Sequence, residues 1–475
     1  MPERSEERLG TAPLGKLVVS LTIPSVLAQL VNLLYSIVDR VYIGHIPEVG
    51  ALALTGLGLC TPLILIVAAF AAFAGMGGAP LAAMELGRGD REKAGKILSQ
   101  SILMLVLFSV VLTFGLSACK RPLLFFFGAG DATIGYAESY ISVYLIGTIF
   151  VQLTLGLNNY ISCQGQAKIA MISVAIGAVL NIVLDPVFIF LLDMGIRGAA
   201  VATVISQAVS TVWVLRFLFS KKSALPVSLR ALLPNFRVMG KIAALGVSPF
   251  IMQVTESLIA IVFTSGLKKY GGDLYVGSYT ILNSVMQLMF IPAHGFTFGA
   301  QPILSYNYGS GDYKRVKRCF WFVTAIVFVY CLLFYLLLRL VPGFFAGLFT
   351  SDAALRALTA EKMPLYLLGM SIFGLQMSVQ SLFLGLGQTK LSLFLACLRK
   401  IILLTPLALI LPLFLGVDGL YLAEPISDGI SAATSIILFL AVSRKLFRKT
   451  DTIDALRQQG YSGLAADETA EGTET

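Results

Sequence analysis

The chain has 475 residues, of which 57% are hydrophobic and only 13% are charged, and this charge content is about half that of a typical soluble domain. Uncharged stretches such as 97–118 and 319–338 are each long enough to cross roughly 30 Å of hydrocarbon. The composition therefore excludes a soluble cytosolic enzyme and predicts an all-α polytopic membrane protein. The 35 Lys and Arg against 26 Asp and Glu are typical of loop orientation in such a protein, so we expect a lipid bilayer and no nucleic acid as partner.

The cysteine and histidine content gives no support for a catalytic or metal centre. The six Cys are scattered without a CxxC pair, and the sequence has two His, His45 and His294, so neither a zinc site nor a disulfide framework is indicated. The sequence also lacks the GxSxG, HExxH and P-loop motifs of hydrolases, zinc peptidases and built-in ATPases. We therefore predict a protein that is not an enzyme, has no cofactor and takes its energy from a source other than an ATPase motor of its own.

The apolar segments divide the chain into helices and domains. We predict twelve transmembrane helices, at 17–43, 50–84, 97–118, 134–157, 169–192, 198–219, 241–266, 274–304, 319–341, 357–384, 391–415 and 418–443. An even number of spans places both chain ends on one side of the membrane. The predicted domains are an N-terminal segment, an N-lobe, a linker, a C-lobe and a polar tail expected to be disordered, at 1–16, 17–219, 220–237, 238–443 and 444–475.

Basic residues predict the orientation of these helices. With the N-terminus in the cytoplasm, the cytoplasmic segments contain 24 Lys and Arg and the outer segments contain 9. Because short cytoplasmic loops are enriched in Lys and Arg, both termini and the 220–237 linker are predicted to be cytoplasmic.

The chain also repeats itself internally. Three motifs recur at nearly the same offset, namely GRGD and GSGD at 87–90 and 309–312, GQAK and GQTK at 165–168 and 387–390, and GIRG and GVDG at 195–198 and 416–419. Since the offset spans six helices, an even number, both halves share one orientation. The sequence therefore predicts two six-helix lobes related by a pseudo-twofold along the membrane normal, with a binding site between them.

Four longer strings carry a family resemblance. They are NLLYSIVDRVYIGH at 32–45, GAVLNIVLDPVFIF at 177–190, MGIRGAAVAT at 194–203 and QPILSYNYGSGD at 301–312. Together they resemble the multidrug and toxic compound extrusion (MATE) family over about residues 10–445, and the bacterial multidrug-pump branch in particular. The resemblance implies a cation-coupled antiporter that expels organic compounds through a central cavity.

The fifth predicted helix carries the residues that best fit a coupling site. Asn181 and Asp185 are one helical turn apart and so share a helix face, while Pro186 frees a backbone carbonyl. Asp39 and Thr203 could add a second carboxylate and a hydroxyl, a set that suits Na+ or a shared proton. The alternative is that Asp185 only serves the backbone freed by Pro186.

The family resemblance supports the coupling assignment. Asp39, Asn181, Asp185 and Thr203 match the residues of the family's N-lobe site, and Tyr140 is a looser match. In the second half of the repeat, Asp185-Pro186 becomes Thr405-Pro406 and Asn181 becomes Ile401. We therefore expect a kink in both lobes and the coupling chemistry in the N-lobe alone.

Four charged residues of the C-lobe predict ion pairs between the last two helices. Arg399 and Lys400 fall in helix eleven, whereas Glu424 and Asp428 fall one turn apart in helix twelve. Unpaired charge is costly within a membrane, so at least one pair should form between the helices. A part in gating or substrate contact is the alternative role.

The predicted substrate site combines negative charge with adaptable apolar surface. Glu256 and Asp39 would attract a lipophilic cation, and Met286, Met289 and Phe290 could line its cavity. The alternatives are that Glu256 pairs with a polar neighbour and that the apolar residues serve packing. The family often has an Asp in helix ten, where this sequence offers Gln376 and Gln380.

Two functions are compatible with the sequence. We expect a monomeric antiporter in the bacterial inner membrane that exports amphipathic, mostly cationic organic compounds in exchange for protons or sodium by alternating access. The alternative is a lipid-linked glycan flippase of related architecture, for which Arg399 and Lys400 would meet a pyrophosphate.

Overall fold

The computed structural model describes residues 6–227 and 233–447, and every regular element in these two ranges is a helix. The predicted tail is 444–475, of which 444–446 belong to the helix Val417–Leu446, while 448–475 and the linker residues 228–232 lie outside the described residues. We number the main helices α1 to α12, and they are α1 (Leu14–Gly44), α2 (Gly50–Gly87), α3 (Arg91–Phe126), α4 (Asp131–Ile146 and Thr148–Ser162), α5 (Ala167–Leu191), α6 (Ile196–Leu218), α7 (Phe236–Gly271), α8 (Asp273–Gly309), α9 (Tyr313–Leu340), α10 (Ala353–Tyr366 and Met370–Gly385), α11 (Thr389–Leu415) and α12 (Val417–Leu446). Two short helices, Arg8–Thr11 and Pro342–Gly347, precede α1 and follow α9.

The predicted count of twelve spans is confirmed when each bent helix counts as one. Within the described ranges, ten helices are individually long and apolar enough to cross a membrane, while α4 and α10 are pairs bent by 60° and 50°. The predicted segments are shorter than several of the helices. Residues 97–118, for example, lie within the longer helix Arg91–Phe126. This helix begins before residue 97 because Asp90 caps it, accepting a hydrogen bond from the backbone N–H of Lys93 at 2.8 Å.

The internal repeat is visible in the backbone. Gly89 and Gly311, which are equivalent in the repeat, both have φ of +81°, a left-handed conformation that favours glycine. Each precedes an aspartate that caps the next helix, and Asp312 accepts from the N–H of Arg315 at 2.9 Å, as Asp90 does from Lys93. The two GxGD motifs are therefore the same helix-joining turn in the two lobes.

Both lobes have a short π-helical segment beside the proline at which the sequence predicts a kink. In α5 the segment Val187–Leu191 follows Pro186, and in α11 the segment Leu398–Leu404 precedes Thr405-Pro406. The Thr405 hydroxyl donates to the carbonyl of Lys400 at 2.7 Å and so adds a side-chain hydrogen bond within this irregular segment. The π-helical segment is thus shared by the lobes, although the residues around it differ.

Glycines bring the two lobes into backbone contact. A Cβ added to Gly246 of α7 would lie 2.0 Å from the Phe73 carbonyl oxygen of α2, and one added to Gly309 of α8 would lie 2.0 Å from the Met84 carbonyl oxygen. Gly295 and Gly299 of the GxxxG motif similarly meet α1, so this motif serves close helix packing. All these contacts lie in the half of each helix nearest the chain termini. The described conformation is therefore closed at that end.

The predicted N-terminal segment also joins the lobes at this end. Leu9 is fully buried, and its carbonyl accepts a hydrogen bond from the side-chain amide of Asn307 in α8 at 2.9 Å. Glu6 forms an ion pair with Arg91 of α3. The residues before α1 thus contact both lobes.

Candidate functional site

Three of the predicted coupling residues form one hydrogen-bonded group in the N-lobe. The side-chain nitrogen of Asn181 lies 3.2 Å from Asp185 Oδ1 and 3.3 Å from Thr203 Oγ1. Asn181 and Asp185 are one turn apart on α5, and Thr203 reaches them from the neighbouring α6. All three are buried. Asp185 thus accepts from a side chain, an arrangement that differs from a cap on the backbone beside Pro186.

Asp39 of α1 brings a second carboxyl to this group. It is buried and close enough to Asp185 for the two charges to interact. Asp39 Oδ1, Asn181 Oδ1 and Asp185 Oδ2 are all shielded and have no hydrogen-bond partner. Buried acceptor oxygens without a donor are costly. These oxygens have the chemistry to bind a cation or to share a proton.

Two tyrosines flank the carboxyls. Tyr140 is buried on α4, lies within electrostatic range of Asp39 and stacks on Tyr144 with ring centroids 6.2 Å apart. Tyr35, one turn before Asp39 on α1, interacts with both carboxyls and also lines the central cavity. Sequence reasoning missed Tyr35, although its spacing of one turn from Asp39 places both on one helix face.

The cluster formed by Asp39, Asn181, Asp185 and Thr203 has the chemistry of a site for one cation or for a shared proton. Two nearby carboxylates resist simultaneous ionisation away from water, so a proton or a cation must offset one of the charges. Oxygen ligands from carboxylate, amide and hydroxyl suit a hard cation such as Na+. In residues 6–227 and 233–447, no group of three or more His, Cys, Asp or Glu side chains could hold a metal ion.

A cavity of about 370 Å³ lies between the lobes beside this group. Asn181 and Thr203 line this cavity and also belong to the cluster around the two carboxyls. Among the described lining residues there is no Asp, Glu, Lys or Arg, and nine carry a carboxamide: Gln29, Asn32, Asn158, Asn159, Asn181, Gln207, Gln253, Gln301 and Gln380. The polar part of the wall therefore presents neutral dipoles instead of formal charges.

The predicted apolar lining residues lie elsewhere. Met289 is fully buried in the C-lobe core, and Met286 and Phe290 pack against that core, so the prediction that they line the cavity is wrong. The reason is position along α8, because the cavity-lining part of this helix lies beyond them, at His294 and Phe298, whose rings stack 4.1 Å apart. The methionines of the wall are Met76, Met171 and Met252.

Glu256 is not the lone carboxylate that the sequence suggested. It forms an ion pair with Lys400 of α11, whose ammonium also lies 3.3 Å from the Met252 carbonyl. The Glu256 side chain is 59% exposed and that of Lys400 is 5% exposed. Neither Glu256 nor Asp39 is among the described residues that line the cavity. A role for them in attracting substrate stays a prediction.

Arg399 links α11 to α12 inside the C-lobe. Its guanidinium lies 2.6 Å from Asp428 Oδ1 and 2.8 Å from Glu424 Oε1, and it stacks 4.3 Å from the ring centre of Phe373. The predicted ion pair between the last two helices is thus present at Arg399, whereas Lys400 pairs with Glu256 of α7. Consecutive helix residues point in different directions, so Arg399 and Lys400 cannot both face the same neighbour.

We expect Arg399→Met to lower the free energy of unfolding by about 3–5 kcal/mol, because it leaves two buried carboxylates without a counter-charge. Combining it with Glu424→Gln and Asp428→Asn should restore most of the loss. Thermal unfolding of the purified protein in detergent measures both effects. Lys268→Met is the matched control, since its pair with Asp273 is mostly exposed and should contribute under about 1 kcal/mol. A triple variant no more stable than Arg399→Met would contradict a structural ion pair.

The fold and this site define a class of protein. Two six-helix lobes that enclose a polar cavity beside buried carboxyls in one lobe are the architecture of a membrane transporter with parallel repeats. The profile of the MatE family matches residues 24–187 and 249–410, one range in each lobe. The chain belongs to the MatE family, and it is a multi-pass membrane transporter and not an enzyme.

Known proteins match this chain over nearly its whole length. The multidrug export protein MepA of Staphylococcus aureus is 23% identical over 451 residues, which cover 93% of this chain and 97% of that protein. MepA of Staphylococcus saprophyticus is 23% identical over 434 residues, covering 91% and 95%. An outward-facing multidrug resistance MATE family transporter of the MOP superfamily superposes with a TM-score of 0.85 at 24% identity, covering 93% of this chain and 98% of that chain. A MATE structure in the bent conformation gives 0.88 at 23% identity, covering 94% and 98%.

Proposed function

We propose that this protein is a secondary antiporter that exports amphipathic organic cations in exchange for protons or sodium. The observation that carries the proposal is the pair of buried carboxyls, Asp39 and Asp185, whose free oxygens lie beside the central cavity. The similar proteins that are multidrug export proteins by name support the substrate class. The protein acts as a monomer, because each chain carries both lobes and the whole cavity.

Coupling follows from competition at the N-lobe. The side-chain amide of Asn181 donates both to Asp185 and to Thr203, and Asn181 and Thr203 also form part of the cavity wall. Loading the carboxyls therefore alters the surface that the substrate meets. Substrate and coupling ion then favour different states of the same lobe, which is the requirement for exchange.

In the transport cycle, the lobes close the cavity alternately at one end and at the other. Glycine contacts hold them together at the end that carries the termini, so the opposite end is the one through which the cavity exchanges its contents in this conformation. If the termini are cytoplasmic, as the basic residues predict, the conformation faces outward. The cycle then requires the glycine contacts to separate.

The orientation can be tested with a native cysteine. Cys119 of α3 is exposed, whereas Cys60, Cys163, Cys319 and Cys331 are buried and Cys397 is partly buried. If the termini are cytoplasmic, Cys119 and its neighbours Lys120 and Arg121 lie on the outer side of the membrane. We expect a membrane-impermeant maleimide to label the wild-type protein in intact cells and to label Cys119→Ser far less. Labelling that requires broken cells would reverse the orientation.

The flippase alternative requires cationic groups free to meet a pyrophosphate. Arg399 is held by Glu424 and Asp428, and Lys400 is held by Glu256. Neither belongs to the cavity wall. These contacts favour the antiporter over the flippase.

Transport in proteoliposomes tests the function and its coupling ion. We expect an imposed proton gradient or sodium gradient, each applied separately, to drive uptake of a fluorescent organic cation into liposomes that contain the wild-type protein. Empty liposomes and gradient collapse by an ionophore are the controls. Whichever ion drives uptake is the coupling ion. Transport driven by neither gradient would refute the antiporter.

A further inference from the structure

Two carboxamides in the cavity wall occupy equivalent places in the two lobes. The offset that relates the two GxGD turns also relates Asn158 of α4 to Gln380 of α10. Both line the cavity. The inference drawn from them rests on the proposed function, since it names the kind of cation that the cavity selects.

The nitrogens of these two amides are used in the same way. Asn158 Nδ2 donates to the backbone carbonyl of Ala170 at 3.2 Å, and Gln380 Nε2 donates to the backbone carbonyl of Ser392 at 3.0 Å. Ala170 and Ser392 are themselves equivalent in the repeat, at the same offset. A carbonyl can only accept, so each amide must turn its NH2 group toward it. The contact therefore fixes which end of each amide is the nitrogen.

The oxygens of the same amides are left without a donor. Asn158 Oδ1 and Gln380 Oε1 are shielded from solvent and have no hydrogen-bond partner. Two further residues of the wall, Asn181 and Gln207, also have a shielded side-chain oxygen without a partner. Among the described residues, every shielded amide atom of the wall that lacks a partner is thus an oxygen. The shielded part of the wall has a surplus of acceptors over donors.

We propose that the oxygens of Asn158 and Gln380 form a paired acceptor site, one from each lobe, for organic cations that carry N–H donors. Ammonium, amidinium and guanidinium groups supply such donors, whereas fully alkylated or arylated cations have none. A donor-bearing cation that draws these shielded oxygens toward the cavity gains a charge-assisted hydrogen bond to each, and such bonds are stronger than bonds between neutral groups. The neutral wall still admits cations without donors, which bind through apolar and aromatic contacts alone.

The position of the pair couples recognition to conformation. Each lobe holds its amide through its own backbone, at Ala170 or Ser392, so the two oxygens move with their lobes. A substrate that bonds both oxygens favours the lobe arrangement in which both can be reached. Substrates without donors lack this preference.

The test compares two probes in the purified full-length protein. One is the fluorescent diamidine 4′,6-diamidino-2-phenylindole, which carries N–H donors on both ends, and the other is tetraphenylphosphonium, which has none. Binding is measured by calorimetry for the wild type, Asn158→Leu, Gln380→Met and the double variant. Gln376→Met is the matched control, since Gln376 lies about one turn before Gln380 on α10, also has a shielded oxygen without a partner and is not among the described residues that line the cavity.

We expect each single variant to weaken diamidine binding by about tenfold, as the loss of a hydrogen bond to a charged group predicts. Tetraphenylphosphonium affinity should change by less than about twofold in the same variants, and Gln376→Met should leave the ratio of the two affinities unchanged. This ratio separates recognition from structure, because Gln380→Met also removes the donors to Ser248 and Ser392. A purely structural role would weaken both probes together and would overturn the proposal.

The remaining outcomes are also distinct. If the wild type binds both probes and the variants keep the wild-type ratio, the amide pair is refuted while the antiporter stands. An acceptor site filled only by ordered water gives that result. If the wild type binds and transports neither cation, the proposed function and this inference both fail.

Discussion

Asp185→Asn should abolish gradient-driven export of organic cations. The substitution keeps the size of the side chain and its place beside Asn181 but removes the charge that a coupling cation or proton would neutralise. Coupling free energies of about 1–3 kcal/mol correspond to factors of about 5–150, so we expect a loss on the order of 100-fold in the initial rate. The measurement is ion-driven uptake of a fluorescent cation into proteoliposomes that contain equal amounts of folded protein.

Asp39→Asn should have a similar effect, because the two carboxyls interact and each has a shielded oxygen without a hydrogen-bond partner. The double variant should be no worse than either single variant, since the residues act on one bound ion. Asp193→Asn is the matched control. Asp193 is exposed in the turn after α5 and has φ of +51°, a conformation that asparagine also adopts readily.

Binding separates loss of coupling from loss of substrate recognition. Asp185→Asn should still bind substrate in the absence of an ion gradient, because Asp185 is not among the cavity-lining residues. Full export by either single variant would remove these carboxyls from the coupling site. Loss of export together with loss of folded protein would instead mark them as structural residues.

Much of this site follows from local sequence. Asn181 and Asp185 share a face at helical spacing, and the contrast between Asp185-Pro186 and Thr405-Pro406 in the repeat separates chemistry from bending. The repeat also predicts how the lobes are arranged, because its offset spans six helices and an even number gives both halves the same orientation. These features depend on periodicity and spacing, which the sequence contains directly.

Contacts between distant helices could not be predicted in the same way. The pairing of Lys400 with Glu256 instead of α12 depends on the rotation of α11 about its own axis, which the π-helical segment Leu398–Leu404 changes. Met289 was misplaced because an apolar residue on a membrane helix suits the core, the lipid and the cavity equally well. Which of the three it meets is set by packing against other helices.

The second large effect is expected at the glycine contact between the two lobes. Gly246→Val should disfavour the conformation described here, because a Cβ at this position would lie 2.0 Å from the carbonyl oxygen of Phe73 in the other lobe. A clash with backbone is not relieved by a change of rotamer, so the cost is about 2 kcal/mol or more. That cost shifts the balance between the two closures by about 30-fold.

Lobe separation can be measured with spin labels at two exposed and equivalent positions of the repeat, Lys168→Cys and Lys390→Cys. Cys119 and Cys397 are replaced by serine to prevent labelling elsewhere. Double electron–electron resonance should show a longer distance at the end that carries the termini in Gly246→Val than in the parent protein, and export should fall because one half of the cycle is blocked.

Gly240→Val provides the control for this experiment. Gly240 lies on the same helix, less than two turns earlier, and a Cβ added there meets no atom within 4 Å. It should keep the parent distance distribution and the parent export rate. If Gly246→Val also kept both, the glycine contact between α2 and α7 would not control closure, and the movement of the lobes would have to be sought at the contacts of α8 with α1 and α2.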